Sequence, residues 1–405
     1  MRGDHHAHYL CHVRKITADW VCPVSSPPLA QGVVITDHNG QILAVESRDQ
    51  HDPASLETHQ GWLVPGFVNT HCHLELSHLR GRVDTGTGLI PFITGVVTQR
   101  GASAEVIGAA IAEAEAEMLT GGIVAVGDIS NAPDTFATKA QGRLRYYTFV
   151  ELFDFLQDNN AEQTFANGSK VYEQLVLAPG SERSYAPHAP YTVSPSLFRR
   201  IAEANPASGA TVSIHNQETP PENQLFIEKK GGFIDFYGRF GISLEQFKAT
   251  GQPAIYYSLA HLNPANRTLF VHNTLTTRED IEAAHNWSPH VFWATCPNAN
   301  LYIENRLPNY QFFLDTGARV TLGTDSLTSN WQLSILAEMQ TIARYQSYVP
   351  FDTLLRWATL HGAQALGFDD TLGSLEVGKT PGVLLLEGLT PAGKLTGDAT
   401  VRRLV

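Results

Sequence analysis

Eight short apolar runs, which alternate with longer segments of helical period, constrain the fold of this chain more than any other feature. Repeated βα units build parallel sheets, and eight of them are the number that closes a barrel. The apolar runs occupy residues 63–73, 123–129, 144–152, 183–190, 211–218, 268–274, 291–298 and 319–326. The clearest helical segments are residues 104–122, 194–204, 276–286 and 334–346. We therefore predict an α/β fold with a (β/α)8 TIM-type barrel.

The two ends of the chain have a different pattern. Two apolar runs separated by residues 37–40 are typical of a β-hairpin, and the tail from Gly373 returns to short strand-like runs. We predict a small β-sandwich domain that both chain ends build. Its parts are residues 1–62 and 369–405, and the barrel spans residues 63–368.

Charge and composition exclude several classes of partner. The 405 residues include 28 Lys+Arg and 40 Asp+Glu, and the net charge of -12 disfavours nucleic acid and anionic lipid. No apolar run approaches the roughly 18 residues of a membrane span, and the charged N-terminus does not fit a signal peptide. Cys11, Cys22, Cys72 and Cys296 form no CxxC pair, which favours a reducing compartment. We expect a cytoplasmic protein with a small-molecule partner, and a homo-oligomer stays open.

Histidines and one aspartate at predicted strand ends indicate a metal site. His71 and His73 alternate along a strand, so both imidazoles point to one side, although two structural histidines would also fit this pair alone. His215, His272 and Asp325 end other β-rich runs, and the strand ends of a barrel converge on one face. Three imidazole nitrogens and a carboxylate, with an open position for water, form a hydrolytic site that suits Zn²⁺ or Fe²⁺.

Glu218 follows His215 by three residues, just beyond the predicted strand. A carboxylic acid at this place could sit over a substrate without ligating the metal. The alternative is a solvated glutamate at a helix N-terminus, beside Pro220 and Pro221.

Several motifs, in this order and spacing, resemble the amidohydrolase superfamily, in particular its mononuclear-metal branch of nucleoside and base deaminases. That branch includes adenosylhomocysteine, guanine and aminodeoxyfutalosine deaminases. The motifs are VPGFVNTHCHLELSHLRG, APHAPYTVS, SIHNQE, LFVHNT, CPNANLYI, LGTDS and GSLEVGK. The resemblance covers roughly residues 61–382, and Pro381-Gly382 departs from the usual Ala-Asp after GSLEVGK.

The resemblance implies one metal ion, with zinc as the first expectation and Fe²⁺ as the alternative. The implied ligands are His71, His73, His215 and Asp325. The third apolar run carries Glu151 and no lysine at its end, so the bridging lysine of binuclear relatives has no counterpart.

The resemblance also implies roles in catalysis. Glu218 would be the proton shuttle, His272 would orient the hydroxide nucleophile, Asp325 would accept its proton, and His188 would contact the substrate. The implied reaction replaces an amino group of a purine-type base or nucleoside with a keto oxygen and releases ammonia. The alternatives are another hydrolase on the same metal site, such as a cyclic amidase or chlorohydrolase, and a non-catalytic binding barrel.

The substrate is less defined. The segment LELS at residues 74–77 looks like that of aminodeoxyfutalosine deaminases, which would imply menaquinone biosynthesis. Glu75 and Phe92 are candidates for contacts with ribose or base, although a surface carboxylate and a core aromatic residue are equally good interpretations. Arg80 or Arg306 would pair with a substrate carboxylate or form a structural ion pair. Histidines 5, 6, 8 and 12 suggest a weaker alternative, a metal-storage role.

Overall fold

The chain begins with seven short strands outside the barrel. The computed structural model describes residues 13–390 and 393–405, so Cys11 and histidines 5, 6, 8 and 12 lie outside the described residues. The strands are β1 (Arg14–Thr17), β2 (Trp20–Val21), β3 (Leu29–Ala30), β4 (Gly32–Thr36), β5 (Ile42–Ser47), β6 (Glu57–Thr58) and β7 (Trp62–Pro65). β4 and β5 pair antiparallel, which confirms the predicted hairpin.

Eight parallel strands follow, one in each predicted apolar run. They are β8 (Phe67–Cys72), β9 (Ile123–Ser130), β10 (Arg145–Leu152), β11 (Glu182–Pro187), β12 (Thr211–Asn216), β13 (Arg267–His272), β14 (Val291–Thr295) and β15 (Val320–Leu322). They pair in the orders β11-β10-β9-β8 and β12-β13-β14-β15. Hydrogen bonds join the two runs at both seams: His215 N donates to His188 O at 2.9 Å, and Thr324 N donates to His71 O at 3.1 Å. The predicted (β/α)8 barrel is therefore confirmed.

Helices connect and cover the barrel strands. They are α1 (Leu89–Gln99), α2 (Ala104–Thr120), α3 (Phe136–Lys139), α4 (Ala161–Gln174), α5 (Pro195–Ala204), α6 (Pro220–Glu228), α7 (Gly232–Arg239), α8 (Ala254–His261), α9 (Arg278–Trp287), α10 (Pro297–Glu304), α11 (Tyr310–Asp315), α12 (Ile335–Tyr345), α13 (Phe351–Ala358) and α14 (Leu360–Leu366). α5 begins as predicted, because Ser194 caps it and Pro195 occupies its first position. Within the described residues, none of the helices combines the length and the apolar character that crossing a membrane requires.

The last two strands return to the first part of the chain. β16 (Val383–Leu389) pairs with β17 (Leu395–Arg403) and with β7, both antiparallel. This five-stranded sheet, β17-β16-β7-β2-β3, accompanies the four-stranded sheet β5-β4-β1-β6. Ile16, Val34, Leu63 and Leu385 share one buried cluster, so both chain ends build the small β domain, as expected. The domain limits at residues 62 and 368 stay a prediction.

Candidate metal centre and active site

Four side chains from three distant parts of the chain meet at the carboxyl ends of the barrel strands. The Nε2 atom of His73 lies 3.2 Å from Nε2 of His71 and 3.3 Å from Nε2 of His215. Oδ1 of Asp325 lies 3.7 Å from Nε2 of His71 and 3.6 Å from Nε2 of His73. The structure thus brings together the four residues that the sequence nominated as metal ligands.

This spacing fits a divalent metal ion. Zinc–nitrogen bonds of about 2.0–2.1 Å in a tetrahedral site separate two ligand nitrogens by about 3.4 Å. The nitrogen–nitrogen distances of 3.2 and 3.3 Å are close to that value. All four side chains are buried, and a cation between them would offset the cost of packing several nitrogen lone pairs together. His272 lies beside the group, with a ring nitrogen within 4.8 Å of those of His71 and His215.

Burial prepares these groups in the protonation states that bind metals. It lowers the pKa of His73 to about 3 and the pKa of His215 well below the usual value, so both imidazoles are neutral. Burial alone would raise the pKa of Asp325. The hydrogen bond from His71 and the favourable electrostatic interactions of the carboxylate with the rings of His73 and His272 outweigh burial, so the pKa of Asp325 is lowered and its carboxylate is ionised.

Hydrogen bonds behind the centre orient its side chains. His215 donates Nδ1–H to the carbonyl oxygen of His188 at 2.7 Å, which leaves the Nε2 lone pair available to a metal ion. Ser329 Oγ donates to Asp325 Oδ2 at 2.7 Å. His272 donates Nδ1–H to Asn300 Oδ1 at 2.9 Å, so its Nε2 is an acceptor that faces the centre.

The backbone is unusual at two of these positions. His272 has φ of 73° and Asp325 has φ of 57°, both in the left-handed region that residues with a side chain rarely adopt. Such conformations cost of order 1–3 kcal/mol and concentrate at functional sites. Asp325 N donates to His71 O at 3.0 Å, which ties two ligand-bearing strand ends together.

Glu218 is a buried carboxylic acid at the same strand ends. Its Oε1 lies 3.6 Å from Nε2 of His272. Burial raises the pKa of Glu218 well above its usual range, and the negative charges of Asp325 and Glu304 raise it further. Burial and these charges therefore favour the protonated form of Glu218, which is the form able to donate a proton.

A cavity of about 310 Å³ opens onto the centre. Its size falls in the range of small-molecule sites, and its wall is mostly apolar. The apolar lining residues are Leu76, Leu89, Phe92, Ile93, Val96, Val97, Phe153, Phe155, Tyr191, Phe236, Phe240, Ile242 and Ile303. Polar side chains lie along the rest of the wall: His73, Arg100, Asn131, Glu151, His188, Thr192, His215, Glu218, His272, Asp325 and Ser326. Arg100 is the one arginine or lysine among the described residues that line it.

The predicted substrate residues differ in their placement. Phe92 and His188 line the cavity, whereas Glu75 does not. Glu75 lies in the 3₁₀ helix Leu74–Leu79 and is 2% exposed. Its carboxylate accepts from Arg100 at 2.6 Å and from the backbone N–H groups of Asn131 and Ala132 at 3.0 and 3.2 Å. The structure therefore places Glu75 behind the wall, as a support for Arg100.

The predicted carboxylate partners also lie elsewhere. Arg80 pairs with Glu117 at 3.1 Å and donates to Trp331 O at 2.6 Å, and neither Arg80 nor Arg306 lines the cavity. The structure therefore places Arg80 in an ion pair with Glu117, away from the cavity.

Sequence reasoning missed three residues of this site. Arg100 and Asn131 line the cavity, and Glu222 binds the backbone at Glu218, yet no motif contains Arg100 or Asn131. Of the three, only the position of Glu222 could have been predicted from the sequence, because an acidic residue two positions after Pro220 is typical of the first turn of a helix.

Comparisons with known proteins identify relatives along most of the chain. A model of the "Amidohydrolase family" matches residues 62–403. The 5-methylthioadenosine/S-adenosylhomocysteine deaminase of Teredinibacter turnerae is 29% identical, over 80% of this chain and 71% of the relative. The adenosine deaminase of Helicobacter pylori is 27% identical, over 78% of this chain and 76% of the relative.

Solved structures share the fold. The aminofutalosine deaminase of Helicobacter pylori, in complex with methylthio-coformycin, superposes with a TM-score of 0.77 at 23% identity, covering 92% of each chain. The adenosine deaminase of Xanthomonas campestris with bound zinc superposes with a TM-score of 0.70 at 26% identity, covering 92% of this chain and 84% of the other.

Proposed function

The chain belongs to the amidohydrolase family, in its deaminase branch, and we propose that it deaminates a purine nucleoside hydrolytically and releases ammonia. One observation carries the proposal: three imidazole Nε2 atoms and one ionised carboxylate converge beside the buried Glu218, whose pKa is raised, on the wall of one cavity. That combination supplies a metal site, a proton acceptor and a proton donor to a single substrate.

We infer that one divalent ion is held by His71, His73, His215 and Asp325. Zinc is the expected ion, and Fe²⁺ is the alternative. When bound, such an ion would lower the pKa of a water molecule to about 7, so that a hydroxide nucleophile would be available at neutral pH.

The side chains of the protein move the protons. Ionised Asp325 accepts the proton of the attacking water, and protonated Glu218 donates to the ring nitrogen beside the carbon under attack. His272, whose Nδ1–H is held by Asn300, presents Nε2 as an acceptor that orients the nucleophile. The proton on Asp325 then passes to the amino group, which leaves as ammonia, and the remaining hydroxyl proton returns to Glu218 as the keto product forms.

Aminodeoxyfutalosine is the proposed substrate. Two features favour it: the LELS segment after His73, and a mostly apolar wall that carries a single guanidinium, Arg100. An aromatic carboxylate matches a wall of that kind, because arginine pairs with a carboxylate while the ring packs on apolar side chains. The proposed setting is cytoplasmic menaquinone biosynthesis. Adenosine derivatives and guanine are the alternative substrates.

The test is ammonia release by metal-replete protein from aminodeoxyfutalosine, adenosine, methylthioadenosine, adenosylhomocysteine and guanine. We expect aminodeoxyfutalosine to have the highest kcat/KM. Arg100→Gln should raise KM for aminodeoxyfutalosine roughly tenfold or more, by loss of a charged hydrogen bond, and leave KM for adenosine nearly unchanged. Absence of ammonia with all five compounds would refute the deaminase. Ring opening of a cyclic amide or chloride release from a triazine would then identify the competing hydrolase.

A further inference from the structure

Glu151 has an unused hydrogen-bond acceptor on the cavity wall. It lies near the carboxyl end of β10, is 5% exposed and lines the cavity. Its Oε2 accepts from Asn131 Nδ2 at 3.0 Å, while its Oε1 has no hydrogen-bond partner among the described residues. A buried polar atom without a partner costs about 1–3 kcal/mol, so the arrangement calls for a donor from a ligand.

The neighbouring protein donors are already used. His215 Nδ1 lies 3.6 Å from Glu151 Oε1, but its hydrogen goes to His188 O at 2.7 Å. Asn131 donates its side-chain N–H to Glu151 and its backbone N–H to Glu75. Glu75 and Asn131 therefore hold Glu151 in place and leave its second oxygen free.

A second acceptor lies beside Glu151. Thr192 Oγ1 donates to Ala189 O at 3.2 Å, so it accepts Nδ1–H of His188 at 2.8 Å. The Nε2 atom of His188 is then an acceptor as well. Glu151 and His188 each place a ligand-type atom within 4.8 Å of the other. Two acceptors on neighbouring side chains of the wall complement two neighbouring donors, such as the vicinal hydroxyls of a ribose.

We propose that Glu151 determines specificity, by accepting a hydrogen bond from a ribose hydroxyl of the substrate and thereby selecting ribonucleosides over deoxynucleosides and free bases. This inference rests on the proposed function and extends that function by naming the residue that recognises the ribose. It also replaces Glu75, the carboxylate that the sequence nominated, with Glu151, because the oxygens of Glu75 already have partners.

The experiment measures discrimination between sugars. Binding of inosine, 2′-deoxyinosine and 3′-deoxyinosine to metal-replete protein is followed by calorimetry, and kcat/KM is measured for the corresponding adenosines. In the wild type we expect at least one deoxy compound to bind roughly 10- to 100-fold more weakly than inosine. Glu151→Gln, and Glu151→Ala as a second variant, should bring that ratio close to one. Glu115→Gln, a matched change of a buried carboxylate that binds Tyr146 and does not line the cavity, should leave the ratio unchanged.

The outcomes separate the two proposals. If the wild type binds the deoxy compounds more weakly and Glu151→Gln abolishes this difference, the result supports the role of Glu151. It does so even if no ammonia is released, because the absence of ammonia would refute only the deaminase activity. Equal binding of all three nucleosides by the wild type overturns the inference, whether or not the variants fold. A ratio that survives in Glu151→Gln overturns it as well. A second metal ion per chain in the wild type that is lost in Glu151→Gln would also overturn the inference, because Glu151 would then be a metal ligand.

Discussion

The carboxylate of Glu222 accepts the backbone N–H of Glu218 at 2.9 Å, and its other oxygen accepts the N–H of Gln217 at the same distance. Glu222 occupies the first turn of α6 and is fully buried. It therefore holds the segment that carries the proposed proton donor.

Replacement of Glu222 should disturb catalysis without disturbing the metal. In Glu222→Ala two buried N–H groups lose their acceptor, at a cost of about 1–3 kcal/mol each. We expect a lower Tm and a fall in kcat of roughly tenfold or more, with metal content unchanged. Glu228→Ala, at the exposed end of the same helix, is the control. A variant with wild-type kcat would show that Glu222 does not position Glu218.

Gly323 packs directly against a proposed ligand. A Cβ atom at this position would lie 2.8 Å from Cβ of His71 and 3.0 Å from Sγ of Cys296. Because both neighbours are buried, Gly323→Ala should displace His71, lower the stability by about 1–3 kcal/mol and weaken metal binding. Denaturant unfolding and elemental analysis measure the two effects.

Gly108 provides the control for that substitution. It lies within α2, and an added Cβ would meet nothing within 4 Å. Gly108→Ala should therefore stabilise the protein by about 0.5–1 kcal/mol through helix propensity. Equal effects at both glycines would contradict a specific contact between Gly323 and His71.

The raised pKa of Glu218 predicts how kcat/KM decreases at alkaline pH. The residue donates a proton, so kcat/KM should fall as the pH rises through that pKa, at a higher pH than an ordinary glutamate would give. Glu304 contributes negative charge that raises this pKa, so Glu304→Gln should move the alkaline fall to lower pH. An alkaline limb that Glu304→Gln leaves in place would contradict the assignment.

The raised pKa of Glu218 also makes the stability of the folded protein depend on pH. A carboxyl whose pKa is higher in the folded protein stabilises the fold below its unfolded pKa, and that contribution is lost as the pH rises through the folded pKa. Glu218→Gln removes this dependence. The variant should therefore gain Tm over the wild type at pH 8 more than at pH 5, together with a loss of activity by orders of magnitude. A larger gain at pH 5 would refute this account.

A buried ion pair supports the strand end that carries His73. Asp128 Oδ1 accepts the N–H of Leu74 at 2.8 Å, and its Oδ2 lies 2.6 Å from Nζ of Lys139. Lys139→Met leaves a buried charge unpaired and should cost about 3–5 kcal/mol.

The double variant Asp128→Asn/Lys139→Met tests the cause of that loss. It keeps an acceptor for Leu74 and should recover most of the stability. Lys230→Met, which breaks an exposed pair with Glu228, should change Tm little. Failure of the double variant to recover would show that packing of Lys139, and not its charge, matters.

Local patterns were enough to predict the barrel and the strand ends at which the proposed metal ligands meet. Runs such as TVSIH and TLFVH are rich in β-branched residues and end in a histidine, so the strand and the position of a histidine of the candidate site appear together in a few residues. The hairpin of β4 and β5 was also predictable from a local pattern, because two apolar runs flank a short polar segment at residues 37–40.

The substrate wall could not be predicted in this way. Glu75 and Glu151 are both glutamates near strand ends, and only the tertiary contacts of Arg100 and Asn131 separate them. Arg100 lies 25 positions from Glu75 in the chain, and no periodicity relates them. Which carboxylate is used and which is free depends on hydrogen bonds between distant segments, which a single sequence does not encode locally.

Elemental analysis of the purified protein tests the central claim most directly, because every proposed step depends on one divalent ion at His71, His73, His215 and Asp325. Wild-type protein should carry one metal ion per chain, and His73→Ala and His215→Ala should each lose it while keeping the barrel's circular dichroism. Metal-free wild type after growth with zinc and iron, or full occupancy in both variants, would contradict the account.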